Sequence, residues 1–73
     1  MVSTNYLKDN GFEDINHYHR KLIENFVEDD VENVQEMYNL LSKRQRLDFW
    51  DYVQENVDEL IKSQIQEFLE YSA

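Results

Sequence analysis

The sequence contains no proline and a single glycine, Gly11. Tight turns between strands depend on these two residue types, because glycine adopts positive φ angles without strain and proline fixes a φ angle that suits a turn. A β-rich fold with several tight turns is therefore disfavoured. The scarcity of helix breakers predicts an all-α protein.

Apolar residues recur at steps of three and four along most of the chain, which is the signature of amphipathic helices. This periodicity predicts three helices, which cover residues 13–28, 30–41 and 43–70. Residues 1–11 form either a short helical turn closed at Asn10-Gly11 or an extended lead-in. We therefore predict a single acidic helical domain, residues 1–73, built as a small three-helix bundle with the long C-terminal helix as its central element.

Two short motifs predict where the second and third helices begin. Asp29 with Glu32, and Ser42 with Gln45, each have the spacing of a capping box. The basic residues that follow Ser42 oppose the helix macrodipole, so this boundary could lie a few residues further on. The third helix continues without glycine or proline and could soften at Asn56.

The apolar stripe of the third predicted helix covers about half of its circumference, whereas a surface helix usually has a stripe of about 100°. This helix therefore contacts two other helices or shares apolar surface with a partner. Phe49 and Trp50 lie about 100° apart around it, so both rings are buried only if two elements flank the helix. Otherwise one ring is exposed, and both residues are candidate apolar anchors for a partner.

Sixteen acidic and seven basic residues give the chain a net charge of −9. Binding of a phosphate backbone requires many basic side chains, so direct nucleic-acid binding is not expected, and an anionic membrane would repel the protein. The charge instead favours a protein partner with a basic surface. Residues 1–23 carry three acids and three bases, residues 24–46 six acids and three bases, and residues 47–73 seven acids and one base. The negative charge therefore increases towards the C-terminus.

An acidic strip on the third helix is the main candidate for partner binding. Its carboxylates are three and four residues apart and would span roughly 16 Å along one side of the helix. The strip consists of Asp48, Asp51, Glu55, Asp58 and Glu59, with Glu32 and Glu36 of the second helix expected nearby. It is either a solvated helix face or an imitation of a row of phosphates that occupies the basic groove of a nucleic-acid-handling protein. Because like charges at these spacings each cost a few tenths of a kcal/mol, a binding role would explain their accumulation.

Catalysis, cofactors and metals are not expected. The chain has no cysteine and no glycine-rich phosphate loop, and no residue is predicted to be catalytic. His17 and His19 are two residues apart, so on a helix their rings point in different directions and do not share a metal ion. We expect His19 in the core with one hydrogen bond. No apolar run approaches the roughly 20 residues of a membrane span, and the first residues lack signal-peptide features, so we expect a cytoplasmic protein.

These observations favour a non-enzymatic acidic binding protein that modulates or inhibits a larger protein. In its most specific form this hypothesis is a DNA mimic, which presents a phosphate-like carboxylate strip to a nucleic-acid-handling protein. The alternative is a structural or assembly protein that forms a homodimer through the wide apolar stripe of the third helix.

Overall fold

A computed structural model describes the backbone of residues 1–72 and the side chains of residues 1–70. Within these residues the chain forms five α-helices and no strand, which confirms the all-α class. The helices are α1 (Thr4–Asp9), α2 (Ile15–Val27), α3 (Val31–Leu40), α4 (Lys43–Asn56) and α5 (Glu59–Ser72).

The prediction of one helix over residues 43–70, and with it the three-helix bundle, is wrong. The helix ends at Asn56, and Val57 has an extended conformation with φ −120° and ψ 140°. The Oδ1 atom of Asp58 then accepts a hydrogen bond from the backbone N–H of Ile61 at 3.0 Å. An aspartate in this role satisfies a free N–H at the start of a helix, so Asp58 begins α5 instead of continuing α4.

α5 lies beside α4 because the chain reverses at this break. On one continuous helix Trp50 and Glu70 would be about 30 Å apart. Instead both residues line the same shallow cleft, together with Lys62. Each helix has its own apolar face, with Val53 buried on α4 and Ile65 buried on α5. The apolar stripe predicted for residues 43–70 was unusually wide because it combined the apolar faces of two separate helices.

The central helix is α2, not a long C-terminal helix as predicted. It packs against α3, α4 and α5. Its Phe26 ring meets the Phe68 ring of α5 at a centroid distance of 5.9 Å, and its His19 ring meets the Phe49 ring of α4 at 5.4 Å. α2 takes the centre because apolar and aromatic side chains on more than one of its sides find partners.

At the end of α3, backbone carbonyls accept hydrogen bonds from side chains of α2 and α4. The Tyr18 hydroxyl donates to the Met37 carbonyl at 2.7 Å, and Arg46 Nε donates to the Tyr38 carbonyl at 3.3 Å. Burial, followed by interaction with Tyr6, raises the pKa of Tyr18 far above its ordinary value. The hydroxyl therefore stays protonated and keeps donating at any physiological pH.

The predicted capping box of Ser42 and Gln45 is confirmed, and it also holds the N-terminal segment. Gln45 Oε1 accepts from the Val2 N–H at 3.0 Å, and Gln45 Nε2 donates to the Val2 carbonyl at 2.7 Å. The Ser3 hydroxyl next accepts from the Tyr6 N–H at 3.1 Å and caps α1. Residues 1–11 therefore contain a short helix, and Val2 is buried against the core.

The predicted capping box of Asp29 and Glu32 is wrong, because Asp29 belongs to the end of α2. Asp29 has a positive φ of 67°. Its N–H donates to the Phe26 carbonyl at 3.1 Å, and the Asp30 N–H donates to the Asn25 carbonyl at 2.8 Å. This pair of bonds is a Schellman motif, which usually places glycine where Asp29 stands.

We expect Asp29→Gly to raise the free energy of unfolding by about 0.5 kcal/mol. Glycine relieves roughly 1–2 kcal/mol of left-handed strain at most, and the greater freedom of glycine in the unfolded chain removes about 0.4–1 kcal/mol of that gain. Urea denaturation followed by circular dichroism measures the change. The matched control is Asp30→Gly, which removes the same charge at a φ of −88° and should not stabilise the protein. Equal effects of the two substitutions would contradict the assignment.

Candidate functional site

Three of the predicted strip residues line one groove between α4 and the start of α2. The carboxylates of Asp48, Asp51 and Glu55 are exposed and extend over about 10 Å of the α4 axis. The groove has a volume of about 380 Å³, and half-buried Ile15 and Tyr52 contribute to its wall. We call it the acidic groove, and its lining residues are Ile15, Asn16, Asp48, Asp51, Tyr52, Glu55 and Asn56.

The three carboxylates form no ion pair with another described side chain. The ion pairs formed among the described side chains are Lys21–Glu24 at 3.9 Å and Lys62–Glu59 at 3.3 Å, and neither involves the acidic groove. Nor do the side chains of Asp48, Asp51 or Glu55 form a hydrogen bond with another described residue. Three like charges thus stand three and four residues apart on α4, an arrangement that costs a few tenths of a kcal/mol per pair.

Asp58 and Glu59 do not continue this strip, so the predicted row of five carboxylates on one helix is wrong. Both residues follow the break that ends α4. Asp58 caps α5, and Glu59 forms the ion pair with Lys62. Asp58 and Glu59 follow Glu55 at helical spacing in the sequence, but they belong to a different helix.

Glu32 and Glu36 are exposed on α3 and do not line the acidic groove. Each is two residues from buried Val34, about 200° around the helix, so they project away from the core. The contact between α3 and α4 is made by other residues, with Trp50 Nε1 donating to the Tyr38 hydroxyl at 3.1 Å. The structure thus separates these two glutamates from the carboxylates of α4.

Phe49 is a core residue, so the prediction that it could anchor a partner is wrong. Its side chain is 0% exposed, and its ring lies 5.4 Å from the His19 ring, 5.9 Å from Tyr38 and 5.0 Å from Trp50. Trp50 is half-buried in the cleft beside α5. Both rings are covered to this degree because elements flank α4 on two sides. Neither residue lines the acidic groove.

A second groove, which the sequence did not indicate, continues from the first along α2. It has a volume of about 540 Å³ and shares Tyr52 and Asn56 with the acidic groove. Its aliphatic residues are Ile23, Val27 and Val57, and Val27 is 60% exposed. We call it the apolar groove, lined by Arg20, Ile23, Glu24, Val27, Glu28, Tyr52, Asn56 and Val57. Val27 follows Ile23 at a step of four residues, so the apolar spacing of the sequence assigns both to one buried face and gives no sign that Val27 is exposed.

His19 lies in the core as predicted, but it does not form the expected hydrogen bond. The side chain is 1% exposed, and neither ring nitrogen has a hydrogen-bond partner among the described residues. Burial lowers the pKa of His19, and the negative charge of Asp48 opposes this effect only in part. The ring lies 5.7 Å from the Tyr52 ring, so it is directly behind a residue that lines both grooves.

His17 has a local structural role at the start of α2. Its Nδ1 atom accepts a hydrogen bond from the Glu13 N–H at 3.1 Å, while its own N–H donates to the capping Asp14 side chain at 2.8 Å. Among the described residues, no three histidine, aspartate or glutamate side chains come together in an arrangement that could hold a metal ion.

Within residues 1–72, no helix combines the length and the apolarity that crossing a membrane requires. The chain matches no protein-family model, and comparisons with curated proteins and with solved structures give no significant match. The functional argument therefore rests on the geometry of the two grooves.

Proposed function

We propose that this protein is a non-enzymatic binding protein, which uses the acidic groove to hold a basic surface of a larger protein and thereby modulates or inhibits it. One observation carries the proposal. Asp48, Asp51 and Glu55 present three exposed negative charges on one side of a helix, and none of them forms an ion pair with another described side chain.

The position of α4 favours tight contact with cations. Phe49 and Val53 are buried on its inner side and fix the helix against the core. The backbone that carries the carboxylates is therefore held in place before a partner arrives, which reduces the entropy lost on binding.

The proposed partner class is a protein that handles nucleic acid. Such proteins carry basic surfaces that bind rows of phosphates, and three carboxylates over about 10 Å offer a short row of the same sign. In this form the protein acts as a competitor of nucleic acid. A cytoplasmic location belongs to the same proposal and rests on the sequence pattern described above.

Self-association remains the alternative, but the observation that motivated it has another explanation. The apolar stripe of residues 43–70 was too wide for one surface helix. The reversal between α4 and α5 divides this stripe, and Val53, Ile65 and Leu69 are all buried within a single chain. Light scattering across a dilution series tests the alternative directly, since a homodimer would keep twice the monomer mass at low concentration.

The proposal is tested by capture from a lysate of the cell that produces the protein. We expect the immobilised wild-type protein to retain a defined set of basic proteins at low salt and to release them at high salt. The variant Asp48→Lys, Asp51→Lys, Glu55→Lys should retain them at least about tenfold less well, because three attractions become repulsions. Release of the captured proteins by added nucleic acid would support mimicry.

The matched control is Glu32→Lys, Glu36→Lys, Glu67→Lys, which changes three exposed acids outside the acidic groove. Each reversal changes the charge by two units, so both variants have a net charge of −3 instead of −9. Circular dichroism must show the wild-type helical signal for both. Equal loss of capture by the two variants would mean that net charge alone attracts the partners, and unchanged capture by the first variant would overturn the proposal.

A further inference from the structure

The geometry points to a specific class of occupant. We infer that the two grooves together form a docking site for an amphipathic helix of the partner, which carries lysine or arginine at one end of its contact face and aliphatic side chains at the other. This inference rests on the proposed function and adds the shape and chemistry of the segment that binds.

The two grooves form a continuous path along the junction of α2 with α4. Tyr52 and Asn56 line both of them. On α2 the path extends from Ile15 to Val27, which is about 18 Å of helix. A partner helix of roughly twelve residues has the same length, so a single short helix can contact both grooves at once.

The chemistry of the path changes along its length. The acidic groove offers three carboxylates at helical spacing, which match cations that are also three and four residues apart on a facing helix. The apolar groove offers Val27 and Val57, and an aliphatic side chain of the partner would bury them. A segment with separate basic and aliphatic portions complements both halves, although charged Arg20, Glu24 and Glu28 also line the apolar groove.

A second copy of this chain does not fit the path. Each copy has a net charge of −9, and α4 would bring its own carboxylates against those of its neighbour. The whole chain has seven basic residues against sixteen acidic ones, so a second copy offers few cations to the path. Charge complementarity therefore favours a different, basic protein.

The probe is a synthetic, fluorescently labelled helical peptide of about 16 residues, long enough for measurable helicity. Three lysines at helical spacing occupy one part of a face, and two leucines occupy the next turns of the same face. Because the direction of the bound helix is not fixed, two peptides carry these blocks in opposite orders. The control peptide has the same composition with the lysines and leucines distributed around all faces.

We expect fluorescence anisotropy to show that one amphipathic peptide binds at least about tenfold more tightly than its scrambled isomer, a difference of about 1.4 kcal/mol. Val27→Ser should weaken this binding about fivefold, because it removes an aliphatic contact. Leu47→Ser is the matched control and should change the affinity less than about twofold. Both side chains are about equally exposed, at 60% and 64%, but Leu47 lines neither groove.

The outcomes separate this inference from the proposed function. Equal, salt-sensitive binding of the amphipathic and scrambled peptides would overturn the docking site and leave the general attraction to basic partners intact. The same holds if neither peptide binds while capture from the lysate still depends on Asp48, Asp51 and Glu55. Undiminished binding of the amphipathic peptide by the variant with lysine at those three positions would overturn the docking site, and unchanged capture from the lysate by the same variant would overturn the proposed function as well.

Discussion

Phe49→Ala should lower the free energy of unfolding by about 3–5 kcal/mol, the largest effect we expect from any single substitution in this chain. The ring is fully buried where α2, α3 and α4 meet, and it contacts aromatic rings from each of them. Removing it leaves a cavity that these neighbours cannot fill without moving. Because the free energy of unfolding of a domain of this size is small, much of the variant should be unfolded at 25 °C.

Thermal and urea unfolding, followed by circular dichroism, measure the effect. Leu47→Ala is the control, since this side chain lies two residues earlier on the same helix and is mostly exposed; it should change the stability by less than about 0.5 kcal/mol. A Phe49→Ala protein that is as stable as the wild type but captures no partner would restore Phe49 as a binding anchor and contradict its place in the core.

The second large effect concerns pH. We expect the protein to lose stability as the pH falls below about 6.5, the ordinary pKa of histidine, because His19 binds a proton more readily in the unfolded chain than in the core. The folded state holds the ring neutral, so unfolding takes up a proton in this range. The loss reaches up to about 1.4 kcal/mol for each pH unit and stops below the depressed pKa of the folded state.

His19→Leu should remove this pH dependence and stabilise the protein at pH 7 by about 1–3 kcal/mol. Leucine occupies the apolar site among Tyr18, Phe49 and Tyr52 without two buried nitrogens that lack partners. Urea denaturation at three pH values between about 7.5 and 5.5 measures both effects, in a range above the ordinary carboxylate pKa values.

His17→Gln is the matched control for the pH experiment, because it removes the other histidine of the chain and leaves His19 in place. This variant should keep the wild-type loss of stability on acidification. If His19→Leu retains the same slope as the wild type between pH 7.5 and 5.5, groups other than His19 cause the loss, and the account of a buried neutral ring is wrong.

The sequence predicted the part of the candidate site whose residues lie close together on one helix. Asp48, Asp51 and Glu55 share a side of α4 because residues three and four apart do so on any helix. Asp58 and Glu59 fit the same spacing, but the chain reverses before them. The apolar groove could not be predicted at all, because its walls come from α2 and α4, which are distant in the sequence.

The sequence by itself determined the features that a few neighbouring residues control. The apolar spacing of three and four residues, with no proline to interrupt it, favoured helices; Ser42 and Gln45 began α4, and Gly11 ended the first helix with a φ of 79°. These helix boundaries depend on backbone conformation and on hydrogen bonds that span three to five residues. The spacing of residue types is therefore sufficient to predict them.

Only the tertiary structure decided where the long apolar register breaks and which helix is central. The residues around Val57 suit a continuous helix as well as a broken one, and Asp58 is compatible with both. The break is favoured because a reversed α5 can bury Ile65 and bring Phe68 against Phe26 of α2. The free energy gained by this burial comes from contacts between segments some forty residues apart in the sequence. The local periodicity of the sequence carries no information about such contacts.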